Sequence, residues 1–497
     1  MKTKRLDSIW LCLLTAAAII IPQLSLAQLI AIKTVPIATT GQSLIYPSRN
    51  LGMGGTTLAV DDPFLDPFSN PAKGSRLSGA MIFSSPAFGK MLDYKGGVRS
   101  LPVGALVGSD TWFAGAHFTA QEVAPLQEDT RDFFVPLVSS DNSSSSLSDY
   151  STNTYAFGLI GRELPRLGIA IAASASYAEL DGMEGLGFLY GRNSRIDQSG
   201  QSMDYRIGVL RETSDRRSFE MVLLHNRVSM THEVYSSLPI FFDEIGTVTS
   251  TSAVRNLDKT NTSGLHLASK LPLGAGDSRA GFIFTANRKS HPKIPNYVLM
   301  NIPRDPGDSW AFNFGAGISR SNEYGILAMD VIFEPIWSHT WADAADTVRT
   351  SRGELIPAGG MTVENYFQFR NWVMRVGLSQ FDKNFNFQLG LEARFYRYRL
   401  KQTDFVRDSR RSQKELWSEW TPTIGFGLAY PGFEIRYAGH FTLGTGEPGV
   451  ERGFATAEDA ASSRSSDLLI APSGRLTVRE ALVITQQISV VVSLSSR

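Results

Sequence analysis

Cysteine is almost missing from the 497-residue chain: the only one is Cys12. That removes disulfide scaffolds, thiol catalysis and Cys-based zinc sites together. An excess of one charge is missing too. The 48 basic and 48 acidic side chains balance to zero, which excludes a strongly basic nucleic-acid binder. Long apolar runs are absent beyond the N-terminus, and mean hydropathy is −0.09. A helical membrane protein needs about 20 consecutive apolar residues per span, so that class goes as well. With 44 Gly and 23 Pro spread without period, collagen is excluded. A soluble protein and a transmembrane β-barrel remain, and a closed sheet can absorb several hundred residues in one domain.

The N-terminus reads as a secretory signal. Lys2, Lys4 and Arg5 precede an apolar stretch from Ile9 to Ile21, Pro22 breaks it, and Ser25, Leu26 and Ala27 supply small residues for cleavage after Ala27. The run is too short to span a bilayer as an anchor. Cys12 lies inside it without the small residues of a lipoprotein site, so residues 28–497 carry no cysteine. A cysteine-free exported chain suits a bacterial envelope.

From about residue 111 the chain repeats one unit, an alternating segment of roughly ten or more residues and then a turn. Phe385, Phe387, Leu389, Leu391 and Ala393 interleave with Asn386, Gln388, Gly390, Glu392 and Arg394. Trp310, Phe312, Phe314, Ala316 and Ile318 alternate in the same way, as do Phe433, Ile435, Tyr437 and Phe441. Short turn signals fall near 162–168, 212–217, 273–278, 319–324, 381–384 and 430–432, and long polar stretches lie near 123–151, 181–200, 233–260, 290–307, 336–361, 401–417 and 446–476. Regular alternation of long and short connections predicts an all-β fold, an up-and-down transmembrane antiparallel β-barrel of about 14 strands, or 16 if segments 79–86 and 91–99 add a hairpin. The competing reading is a soluble all-β protein with one wet face. Aromatics near strand ends (Trp310, Trp372, Tyr366, Tyr396, Tyr398, Tyr437) and charges on the polar faces (Asp204, Arg206, Arg375, Glu392, Arg394) favour the barrel with a watery lumen. Alternation slips near Phe369–Trp372 and Phe395–Tyr396, read as bulges or as strands leaving the membrane. Leu482 to Leu494 suits a closing strand, although the chain ends in Arg497 where such barrels commonly carry an aromatic residue. The Ser-rich run Ser139–Asp149 and the charged stretch Arg407–Glu415 read as solvated external loops, the latter with lipopolysaccharide phosphates as the less favoured partner.

Before the barrel stands a motif: Leu51, Gly52, Met53, Gly54, Gly55, Thr56, Thr57, Leu58, Ala59, Val60, Asp61, Asp62, and then Asn70, Pro71, Ala72. No Lys follows the glycines and no strand–helix unit surrounds them, so a phosphate-cradling loop is disfavoured. The block resembles the N-terminal segment of the FadL-like outer-membrane long-chain fatty-acid transporter superfamily. Over residues 47–77 the likeness is one of motif, and beyond them one of architecture. The resemblance implies a hatch over residues 28–77 that plugs the barrel of residues 78–497, with hydrophobic molecules passing through the lumen and leaving through a gap in the wall. The Leu-Gly-Met-Gly-Gly form also resembles the branch that includes the type IX secretion barrel, which holds cargo at the cell surface.

Physics asks for a plug independently, because a lumen this wide cannot be filled by inward side chains alone. Arg370, Arg375, Arg394 and Arg436 are placed on inward faces, where they can hold a carboxylate head group or pair with Glu392 and Glu434. His440 is read as a lumen hydrogen-bonding group. The seven histidines (117, 225, 232, 266, 291, 339 and 440) are scattered and sit in no nucleophile or metalloprotease motif, so neither catalysis nor a metal or cofactor is expected. The expected function is passive transport of small hydrophobic molecules such as long-chain fatty acids across a Gram-negative-type outer membrane, with outer-membrane lipid and lipopolysaccharide as surroundings and no nucleic-acid partner. The alternative is a non-transporting barrel that binds secretion-system proteins for secretion or surface assembly.

Overall fold

The structure is a computed structural model that describes residues 29–494 apart from 43, 93, 129–150, 185–192, 243–245, 275, 292–306, 345, 451–470 and 473. The signal sequence and the Ser139–Asp149 run lie outside the described residues.

Period-two alternation makes each long segment a strand with one face on either side of the sheet. The first, β1, is two collinear pieces, Gly79–Ser84 and Ala87–Met91, which keep a single register against both neighbours. Pro86, with no N–H for the ladder, marks the break. Around the wall follow β2 (Tyr94–Gly108), β3 (Trp112–Glu128), β4 (Ser151–Leu164), β5 (Ile169–Leu180), β6 (Asn193–Glu212), β7 (Ser218–Phe242), β8 (Gly246–Pro272), β9 (Ser278–His291), β10 (Gly307–Asn322), β11 (Gly325–Asp343), β12 (Met361–Asp382), β13 (Phe385–Asp404), β14 (Ser409–Tyr430), β15 (Phe433–Val450) and β16 (Leu476–Leu494). Every neighbour is antiparallel, and β16 pairs back onto β1, so sixteen strands close the sheet. Sixteen is the larger of the two expected counts, because the hairpin near 79–99 joins the wall.

One end of the barrel carries only short turns, at 109–111, 165–168, 213–217, 273–277, 323–324, 383–384 and 431–432. The other carries the longer connections. Two stretches expected there as long loops, 233–260 and 401–417, are instead hairpins whose strands run on, β7 with β8 as far as Phe242 opposite Gly246, and β13 with β14 as far as Asp404 opposite Ser409. Polar side chains suit both faces of the β13–β14 ribbon in water, and pairing satisfies the backbone groups of both hairpins.

The outer face is apolar. Trp310, Phe314 and Ile318 on β10 are 47%, 49% and 57% exposed. On β14 the outward series runs from Trp420 through Ile424, Phe426 and Leu428 to Tyr430. Ten residue steps on a strand tilted by about 40° cover about 25 Å, the height of an outer-membrane apolar band. Closure leaves no sheet edge within that band, as hydrocarbon requires. No helix among the described residues is long and apolar enough to cross a membrane.

Two expectations about parity are corrected. No register shift occurs at Phe369–Trp372 or at Phe395–Tyr396. The aromatics that spoil the alternation there, Phe367, Phe369, Tyr396 and Tyr398, point into the lumen, and three of them form a cluster with Ile30 and Ile32. Tyr396 and Tyr398 are therefore not interface residues. With the strand unbroken, Arg370 has the parity of Trp372 and is exposed on the outer face.

Residues 29–77 occupy the lumen. They hydrogen-bond to Gln121 on β3, Arg206 on β6, Lys270 on β8, Asp330 on β11, Thr423 on β14 and Gln487 on β16, contacts that only a segment inside the ring can make together.

Candidate functional site

A single carboxylate ties the Gly-rich stretch together. Asp62 accepts from Ser48 Oγ at 2.5 Å and from the backbone N–H groups of Arg49, Asn50, Phe64 and Leu65 at 2.9 to 3.2 Å. Burial pushes its pKa up, against the pull of the Ser48, Arg49 and Leu65 donors. The side chain of Asn50 donates to the carbonyls of Thr56 and Asp61. Gly54 and Gly55 leave the short helix Leu51–Met53 with φ of +67° and +69°, a conformation that strains any residue with a Cβ. Further on, Asn70 Oδ1 accepts from Ala72 N and Pro71 takes the first position of the short helix Pro71–Arg76.

Where this segment meets the wall, backbone touches backbone. Gly377 on β12 stands opposite Gly390 on β13, with Gly425 on β14 nearby, and all three face inward. A Cβ on Gly390 would overlap Gly54 N, one on Gly377 would overlap Met53 O, and one on Gly52 would lie 2.7 Å from Gly425 Cα. Thr423 Oγ1 accepts from Gly54 N and donates to Gly52 O, both at 2.9 Å. Gly208 on β6 gives the same room to Asn70, and Gly281 on β9 to the carbonyl of Leu58. Asp330 accepts from the N–H groups of Thr57 and Leu58, and Arg206 donates to the carbonyls of Phe68 and Ser69 at the end of the short helix Asp66–Ser69. Of these wall residues, Arg206 was named from the sequence as a charge on a polar face, and the contacts of the others were not foreseen. The available signal was glycine at inward parity inside long strands, which marks close approach of another backbone.

Asp61 faces a charged cluster at the short-turn end. Lys270 and Arg279 of the wall donate to it at 2.8 Å and Arg76 at 3.0 Å. Lys73 lies between Asp66 and Glu220 at 3.0 and 3.1 Å. Burial alone would raise the pKa of Asp61, but Lys270 and Arg76 outweigh it and hold the carboxyl well below the usual range. Burial alone would lower Lys73, but Asp66 and Glu220 hold its ammonium above the ordinary 10.5. A depressed carboxyl stabilises the docked segment above its ordinary value of 3.8 and loses that contribution only as pH falls through the folded value. A raised lysine contributes below 10.5 and loses it only as pH rises through its folded value. Asp61→Asn is expected to loosen the segment by roughly 1–2 kcal/mol, discounted for a side chain 34% exposed. The difference from the parent, read as protease cleavage between Ser48 and Arg76, is expected to stay constant from pH 5 to pH 9.

Of the lumen candidates, Arg436 and Glu434 are joined to each other, and Glu434 also accepts from Arg49 at 2.8 Å, so this pair seats the N-terminal segment. Arg375, Glu392, Arg394 and His440 instead line a cavity of about 850 Å³ between that segment and the wall. Arg375 Nε and Arg394 Nε share Glu392 at 2.6 and 2.7 Å. His440 Nε2 and Asn313 Oδ1, on the same cavity, are buried with no partner among the described residues. Leu58, Ile283, Ile332 and Val373 form an apolar side of the lining. Arg370 has no part in it.

A closed antiparallel wall of even strand number, an apolar belt, a polar inner face and short turns at one end define an outer-membrane β-barrel of a Gram-negative-type bacterium, here with its N-terminal segment inside. FadL-type barrels stand among the solved structures similar to it. The chain is similar to a Pseudomonas aeruginosa FadL homologue at 11% identity and TM-score 0.44, over 92% of this chain and 100% of that one. It is similar to the Pseudomonas putida toluene transporter TodX at 12% identity and TM-score 0.37, over 92% and 98%. It is similar to the CymD monoaromatic hydrocarbon channel at 11% identity and TM-score 0.36, over 90% and 97%. No family model and no curated protein matches the chain.

Proposed function

We propose that the barrel passes small hydrophobic molecules, such as long-chain fatty acids, across the outer membrane without energy input, with residues 28–77 as its hatch. The observation that supports this is the cavity of about 850 Å³ between hatch and wall, a size in the roughly 300–1,000 Å³ range of small-molecule sites. Its lining sets Leu58, Ile283, Ile332 and Val373 against Arg375 and Arg394, so an apolar chain and a carboxylate each find a surface. Outer-membrane lipid and lipopolysaccharide surround the belt. Cells that display the protein are expected to take up labelled long-chain fatty acid faster than cells without it. Ile283→Asp, which puts a charge on the apolar side, is expected to cut the protein-dependent uptake about tenfold or more, with the compact, heat-modifiable gel band retained.

The rival reading, a barrel serving secretion or surface assembly, draws on a different observation. Strands β7 and β8, 25 and 27 residues long, form a ribbon above the wall that offers a partner a surface. A compact barrel that gives no uptake favours this second reading.

A further inference from the structure

The outer face changes character just above the apolar belt. Trp372 on β12, Phe395 on β13 and Trp420 on β14 mark its upper limit there, with the rings of Phe395 and Trp420 5.6 Å apart. Beyond them the outward positions of the same three strands carry Arg370, Arg397, Arg399, Lys401 and Lys414, all exposed. The register sets these cations side by side. Arg399 stands directly opposite Lys414. Arg370 falls between the pairs Phe369–Tyr398 and Trp372–Phe395, which places it opposite Arg397. Like charges in direct opposition weaken a sheet, so the wall by itself gives no reason for either pair.

No acid answers them. Glu415 and Glu419 on β14 have inward parity and are 9% and 8% exposed. Glu364, outward on β12, already accepts from Tyr366 Oη at 2.8 Å and meets His339 Nε2 at 3.1 Å. Among the described residues none of the five cations forms an ion pair, and their one side-chain hydrogen bond is from Arg399 Nε to Ser412 Oγ at 3.3 Å. Arg411, from the same charged stretch, points inward to the carbonyl of Ala471 and takes no part. Strand parity thus sorts the charge, acids to the lumen and cations to the outside. The cations lie two to six residues beyond the aromatics, about 5 to 15 Å higher on a strand tilted by about 40°, which is the level of headgroups and not of acyl chains. Leu416, opposite Arg397 and 79% exposed, adds an apolar surface among them.

We propose that this patch is a binding site for the phosphorylated headgroup of an outer-leaflet glycolipid, lipopolysaccharide. A phosphate set between Arg397, Arg399 and Lys414 turns their mutual repulsion into shared attraction, and the guanidinium forks match its oxygens two at a time. The acyl chains of the same molecule run down past Leu416 onto Trp420, Phe395 and Trp372, so one lipid satisfies the cations and covers the belt below them. A glycolipid with two phosphates reaches both like-charged pairs, Arg370 with Arg397 and Arg399 with Lys414. The site is on the outside of the wall and does not depend on what the lumen carries.

The folded barrel in nonionic detergent is titrated with lipid A bearing two phosphates, and binding is read as added mass on the intact protein. Arg397→Gln, Arg399→Gln and Lys414→Gln together are expected to weaken binding at least about tenfold, with the heat-modifiable gel band retained. Arg166→Gln, Arg320→Gln and Lys383→Gln, which remove the same charge from exposed positions at the short-turn end, are expected to keep the parent affinity. On the parent protein, lipid A without phosphates is expected to bind at least about tenfold more weakly, and neither millimolar inorganic phosphate nor an equal concentration of phosphatidylglycerol is expected to displace the phosphorylated form. Parent affinity in the patch variant overturns the proposal, and so does an equal loss in the short-turn variant, which would make the effect one of net charge. Equal binding of the two lipid A forms overturns it without any variant, and displacement by inorganic phosphate or phosphatidylglycerol overturns the choice of glycolipid as the occupant.

Discussion

Gly390→Val is expected to expel the N-terminal segment while the barrel itself stays assembled. Gly390 has no room for a Cβ because the backbone of Met53 and Gly54 lies against it. The obstacle is backbone on both sides, and neither can rotate away as a side chain would. Overpacking costs about 1–3 kcal/mol where a core can adjust, and this seat calls for the upper end. The Thr423 hydrogen bonds to Gly52 and Gly54 would be lost with it. A shift of about 3 kcal/mol changes the ratio of docked to undocked segment by roughly a hundredfold. The expected result is a rise of at least about tenfold in conductance across planar bilayers, with gel mobility that still depends on heating. Gly276→Val, at a turn position where a Cβ meets nothing within 4 Å, is the matched control and is expected to leave conductance unchanged. Parent conductance in Gly390→Val would mean that the glycine pad does not seat the segment.

The second large effect is expected at Glu392. Its carboxylate holds Arg394 and the directly opposite Arg375, whose strand position is in register with its own. Glu392→Leu leaves two guanidinium groups facing the same lumen without their shared partner. Removing one member of a fully buried charged group costs about 3–5 kcal/mol; with these side chains 19% to 36% exposed, the cost here is discounted to roughly 1–3 kcal/mol. The temperature at which the compact gel band converts to the slow one is expected to fall sharply in this variant. Replacing the whole group, with Arg375→Met, Glu392→Leu and Arg394→Met, is expected to recover most of the loss. If the carboxylate of a substrate is held here, that triple variant is stable yet deficient in fatty-acid uptake. Equal stability of Glu392→Leu and the parent would show that water solvates the two arginines well enough to make the pair dispensable.

Strand identity was legible because the side-chain period of a strand is a local property, visible in any ten residues such as Phe385 to Arg394. Closure also followed from the pattern, since repeated strands with short turns at one end leave a ring as the arrangement without edges. Lumen-facing residues were legible only where the alternation was clean. Arg375, Glu392 and Arg394 lie on the inner face, whereas Arg370 lies on the outer one. The aromatic run at Phe367 to Trp372 looks like a slip in one dimension, and in three it is an inner cluster receiving Ile30 and Ile32. The motif residues Gly52, Gly54, Gly55, Asp61 and Asp62 stood out, but their tasks did not, because each depends on wall residues far away in the chain. Gly54 meets Thr423 across 369 positions and Lys33 meets Glu419 across 386. The cavity between the segment and the wall belongs to the same class. A local repeat specifies the wall, but what fills the space inside is set by contacts between distant segments, which only the closed tertiary structure brings within reach.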